Sequence, residues 1–169
     1  HLLRVLGEAP SIVVHNAIFE RGFLETWADR TGRTLPAIQW HCTLERTRML
    51  VQRNLPHLSL GYLAVQLGWD TEGLHRAGCD AALTRRLWKV LDAWEVIQRS
   101  LGSNPGMIYL AGPFRGDGTR ESMEANTEAM KRMAQWAQAV LPGAALVVPH
   151  LNFGFLDEAG EHGLSVRET

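Results

Sequence analysis

A histidine and an acid lie five residues apart in His75-Arg76-Ala77-Gly78-Cys79-Asp80, at the entry to an apolar-periodic run. An imidazole titrates near neutrality and can take a proton from water. A carboxylate can hold a divalent cation, so the pair at one helix mouth suggests metal-assisted hydrolysis. A surface histidine and a first-turn aspartate complementing the helix dipole would satisfy the same pattern. A second candidate is His15-Asn16-Ala17-Ile18-Phe19-Glu20, where an acid enters a helix just after a strand. Strand ends are where open α/β sheets collect ligands, although an exposed helical acid also fits. A third is the loop Gly112-Pro113-Phe114-Arg115-Gly116-Asp117-Gly118. It is neither G-x-G-x-x-G nor a P-loop, and Arg115 could meet a phosphate or point into water.

Positioning these groups is a matter of the elements around them. From Asp80 the apolar residues Leu83, Leu87, Val90, Leu91 and Trp94 recur at helix spacing, which predicts a helix from about Ala77 to Arg99. Five helical residues turn about 500°, so His75 and Asp80 converge only if His75 sits in the loop before that helix. Ser11-Ile12-Val13-Val14 predicts a buried strand ending at His15, with Asn16 as the N-cap of a helix that stops near Thr31-Gly32. The apolar stripe of that helix is Ile18, Phe19, Phe23, Leu24, Trp27 and Ala28. Residues 37–42 predict a second strand. Thr43 is expected to cap a helix to about Val51, Asn54-Leu55-Pro56 a break, and residues 59–67 a helix closed by Gly68. Residues 100–106 are turn formers without periodicity and read as a linker between residues 1–99 and 107–169. Beyond it come a strand at 107–111, the glycine loop, a helix at 121–141 and a strand at 144–148, a parallel unit with a right-handed crossover.

With 46% hydrophobic and 21% charged residues in a chain of 169, the protein is globular. Residues 1–100 hold 12 basic and 10 acidic residues, and residues 101–169 hold 5 and 8. That is too little positive charge for a non-specific duplex binder, but not for a protein that grips the last nucleotides of a strand. Cys42 and Cys79 form no C-x-x-C and are expected to be reduced thiols in a cytoplasmic protein. No run is long enough to span a membrane, and no signal peptide is visible. Residue 1 is His, so the chain is expected to be a fragment whose start is missing.

The segment His15-Asn16-Ala17-x-Phe19-Glu20-x-x-Phe23-Leu24 resembles the second motif of the DnaQ-like 3′–5′ exonucleases. His75-Arg76-Ala77-x-x-Asp80-Ala81 is similar to the third motif of their DEDDh branch, and Trp40-His41-Cys42-Thr43-Leu44 lies between the two on a predicted strand. The resemblance implies a partial ribonuclease H-like α/β fold over residues 1–99. It implies two Mg²⁺ or Mn²⁺ ions held by carboxylates, with Glu20 and Asp80 as metal ligands and His75 as general base. His15, Asn16 and Phe19 would contact the substrate, a DNA 3′ end, single-stranded, with a polymerase as a possible partner. The chain departs from the family in having Glu20 where Asp is usual, and in having no D-x-E before His15. It is therefore expected to be inactive unless residues outside it supply those carboxylates.

Residues 108–116, with Asn126, Ala129 and Pro149-His150, resemble the start of the nucleoside 2-deoxyribosyltransferase-like superfamily. The resemblance implies a partial flavodoxin-like unit that binds a nucleoside or nucleotide near Gly112, Pro113, Arg115 and Asn126. Asn126 falls on the apolar side of its helix and is expected to hydrogen-bond the glycine loop. Glu158 and Glu161 do not match that family's catalytic glutamate. Two alternatives stand beside the exonuclease: a module that binds nucleotides without cleaving, and a nucleoside transferase or hydrolase acting through the second half.

Overall fold

The computed structural model describes residues 1–51, 55–102 and 106–152; Asn54, Glu158 and Glu161 lie outside the described residues. The chain is a mixed α/β protein. Helix α1 (Leu2–Glu8) leads into β1 (Ser11–Val14), α2 (Ala17–Arg30), β2 (Gln39–Cys42), α3 (Thr43–Leu50) and α4 (Leu60–Gln66). The long α5 (Ala77–Leu101) follows, then β3 (Met107–Tyr109), α6 (Arg120–Val140), β4 (Ala145–Val147) and the short α7 (Pro149–Asn152). Strands β1 and β2 pair in parallel from Ser11 with Gln39 to Val14 with Cys42. Strands β3 and β4 form a second parallel pair, Met107 with Ala145 to Tyr109 with Val147.

Helix α5 organises the packing. Its Leu83, Leu87, Leu91 and Trp94 recur at three- and four-residue spacing, which puts them on one face, and all four are buried. That face meets α3, α4 and β1. The same core cluster takes in Leu50, Val51 and Leu63 from the first half and Trp136, Ala137, Val140 and Leu141 from the second. The two halves thus share one apolar interior. Gln98 pins the seam, its Nε2 donating to the carbonyls of Val140 at 2.6 Å and Leu50 at 3.4 Å. Across the outer flank, Arg46 of α3 bridges to α5: Nη2 lies 2.7 Å from Asp92, Nε lies 2.5 Å from Glu95, and the guanidinium sits over Trp88.

Four local expectations are revised. Cys42, not Thr43, is the N-cap of α3: the helix begins directly after the strand, at Thr43, and the Cys42 sulfur takes the Glu45 N–H. Asn16 occupies the N-cap position of α2 but makes no side-chain capping bond, since its φ of 71° turns the backbone into the left-handed region. Helix α5 continues to Leu101, and the break falls at Gly102, whose φ is 63°; residues 103–105 of the expected linker lie outside the described residues. The stripe of α2 is covered only in part: Ala28 is buried and Leu24 and Trp27 are half-buried, but Ile18, Phe19 and Phe23 are 78%, 65% and 66% exposed, because the covered face is turned toward Glu20.

Since both halves share the core, Leu87→Ala should destabilise the whole chain by about 2–5 kcal/mol. Urea unfolding followed by far-ultraviolet dichroism and by tryptophan fluorescence should give coincident transitions, both displaced to lower urea.

Candidate functional site

The carboxyl ends of β1 and β2 are tied together by three side chains. Cys42 Sγ accepts the N–H of Ala17, the first residue of α2, at 3.3 Å, and that of Glu45 in α3 at 3.5 Å. One sulfur therefore meets the starts of two helices, where unpaired N–H groups gather. His15 lies half-buried beside it. Its Nε2 is 3.0 Å from the carbonyl of Leu58, which can only accept, so this nitrogen carries the hydrogen. In the neutral ring Nδ1 is then an acceptor facing the Thr43 hydroxyl at 2.9 Å, and the carbonyl of Val14, 3.3 Å from that hydroxyl, is the second acceptor for its one proton. Burial pushes the His15 pKa below its ordinary value, against the opposing pull of the Leu58 carbonyl, which agrees with a neutral ring. Both nitrogens are engaged by the protein. The expected substrate contact is, in this structure, a clamp joining the end of β1, the start of α3 and the segment before α4.

Asn16 follows directly, and Glu20 sits half-buried in the first turn of α2. The second stretch has a matching turn. His75 lies in the loop just before α5, as convergence with Asp80 requires, and the contact runs through its backbone: the His75 N–H donates to Asp80 Oδ1 at 3.1 Å. Asp80 thus reaches back past the N-cap residue Arg76 and ties the loop to the first turn of α5. The His75 ring is left exposed and, among the described residues, without a hydrogen bond. Asn16 and His75, with φ of 71° and 69°, are the only non-glycine residues at positive φ among those described. Such backbone costs about 1–3 kcal/mol per residue and persists only where surrounding contacts hold it.

No hydrogen bond or ion pair links Glu20 to His75 or Asp80 among the described residues, and no three His, Cys, Asp or Glu side chains there gather closely enough to hold a metal ion. Glu20 and Asp80 alone carry two negative charges against the four of two divalent cations. A two-ion centre therefore does not fit these residues by themselves. The one D-x-E in the chain, Asp70-Thr71-Glu72, falls in the loop before α5, where Asp70 Oδ1 is turned onto the Glu72 N–H at 2.8 Å.

In the second half, the glycine loop is moulded onto α6. Asn126 Nδ2 donates to the carbonyl of Phe114 at 3.0 Å, the bond that its place on the helix predicted. Gly116 has a φ of 56°, and a Cβ there would collide with Ser122 Oγ; at Gly112 it would collide with Met130 Sδ. Pro113 and Arg115 are exposed beside them. From the sequence Cys42 reads only as a reduced thiol and Thr43 only as a helix cap, and nothing local points to Leu58, whose carbonyl meets His15 across forty-three residues. No family model, no curated protein and no solved structure matches the chain.

Between the ordinary histidine value near 6.5 and its own lowered value, His15 binds protons better in the unfolded chain. Stability should therefore fall as pH drops through about 6.5 and level off below the folded value. Urea unfolding between about pH 8 and pH 5 checks this; the His15→Asn chain should lose that part of the slope.

Proposed function

We propose that residues 15–24 and 75–84 hold the 3′ end of a single-stranded nucleic acid, as the nucleotide-binding part of a 3′–5′ exonuclease centre in a ribonuclease H-like fold. The supporting observation is that the two strained non-glycine residues, Asn16 and His75, fall in the two stretches that resemble the exonuclease motifs, each at the mouth of a helix. On this reading His75 offers an exposed imidazole as general base, Asp80 fixes the loop that carries it, and Asn16 and Phe19 face the terminal nucleotide. Glu20 and Asp80 would be two of the carboxylates that the resembled family uses for Mg²⁺ or Mn²⁺. The described residues do not complete that set, so binding without cleavage is the second reading, supported by Glu20 standing where Asp is usual and by the lack of a D-x-E before His15. For residues 107–152 we propose a flavodoxin-like nucleotide-binding unit, supported by the parallel pairing of β3 with β4 and the Asn126 bond to the glycine loop.

Anisotropy with labelled single-stranded DNA should show binding that weakens when the 3′ hydroxyl is blocked by phosphate. The product of the whole reading frame should release mononucleotides from that DNA with Mn²⁺, and His75→Ala should reduce release by about 10²–10⁴-fold. A whole product that carries D-x-E on a strand before His15 and releases none would remove the enzymatic reading. Binding insensitive to the 3′ group would remove both.

A further inference from the structure

The turn that closes α4 is met by two arginines that make no ion pair among the described residues. Arg132 of α6 lies against Gly68: a Cβ added there would sit 3.7 Å from its Nη2 and 4.0 Å from its Nε. That Nε is buried and has no hydrogen-bond partner among the described residues. Its neighbour one turn back, Glu128, is engaged by Lys131 at 2.6 Å. Arg86 of α5 stacks on Trp69, the next residue after Gly68, with Cζ 4.5 Å from the ring centroid. Neither arginine has an acid within ion-pair distance among the described residues, which is also true of Arg30, Arg33, Arg48, Arg76 and Arg85. Lys89, three residues beyond Arg86 on α5, is likewise without an ion pair among the described residues. Asp70 is adjacent; its Oδ1 accepts the Glu72 N–H at 2.8 Å, and no ion pair joins it to either arginine among the described residues.

A buried guanidinium N–H with no acceptor is costly, and a flat cation resting on an indole presents its edge outward with its donors free. Gly68 has a φ of 70°, which a larger residue would resist, and the Arg132 guanidinium lies within ordinary contact distance of where its Cβ would be. The acceptor that suits two guanidinium forks is a tetrahedral oxyanion with several oxygens. We infer that Arg86 and Arg132 flank a phosphate-binding site at the Gly68–Trp69 turn, on the boundary between the two halves of the chain. Its ligand is a phosphate group, either of a free phosphorylated compound or of a nucleic-acid backbone. The inference does not depend on the 3′-end reading.

The test is nuclear magnetic resonance on the full ¹⁵N-labelled chain at low salt, titrated with inorganic pyrophosphate and separately with an octathymidylate lacking terminal phosphate. The Trp69 indole N–H and the Arg132 Nε–H should shift saturably. Arg86→Met and Arg132→Met should each weaken binding at least about tenfold, and Arg48→Met should leave it unchanged. A response to pyrophosphate alone assigns the site to a free phosphorylated compound; a response to the oligonucleotide assigns it to a strand. Arg132 is partly buried and its loss bears on folding, so the exposed Arg86→Met carries the comparison by itself. Absence of any shift at these two signals with either ligand up to about 10 mM, or wild-type affinity in Arg86→Met, overturns the site.

Discussion

The burial of one face of α5 is the constraint on which the other elements depend. Two-stranded parallel sheets bury little by themselves, and parallel strands need cover on both faces. Leu83, Leu87, Leu91 and Trp94 give β1, α3 and α4 a common surface to close against. The C-terminal elements complete the same interior through Trp136, Ala137 and Val140. Burying side chains of this size contributes about 1.5–3 kcal/mol each, far more than the exposed i,i+4 ion pairs along α1, α2 and α6. Arg46 is a different kind of contact, since it joins α3 to α5 through two acids and the face of Trp88.

The candidate site inherits its geometry from that packing. Helix α5 sets where Asp80 stands, and Asp80 in turn holds the His75 backbone in a left-handed turn that leaves the ring outside. On the other side, Cys42, Thr43 and His15 lock the sheet end from which Asn16 and Glu20 emerge. These three side chains bond to backbone or to one another, which fixes the geometry of the sheet end. The exposed Phe19 and Phe23 lie on the same helix as Glu20.

Much of the element order was legible because it rests on local signals. The strand at Ile12-Val13-Val14, which is half-buried where burial was expected, the helix near residues 59–67, of which Ser59 is the cap, and the long periodicity of α5 were each legible from neighbouring residues. The loop placement of His75 and the Asn126 bond also followed from spacing. What spacing could not reveal was partnership at a distance. The six apolar residues of α2 have helical period, yet which side is covered depends on where β2 lies. His15 looked available for a ligand because Leu58, which occupies its Nε2, is forty-three residues away. Nor could the linker pattern at 100–106 show that Gln98 ties both halves to one core.

The central claim is that the two strained turns, far apart in sequence, face one nucleic-acid end. Paramagnetic broadening by a spin-labelled single-stranded DNA tests it most directly. A label at the 3′ terminus should broaden the amide signals of residues 16–20 and 75–80 together, and the same label at the 5′ terminus should not. Broadening of one stretch without the other, or equal broadening from both ends, would contradict the account.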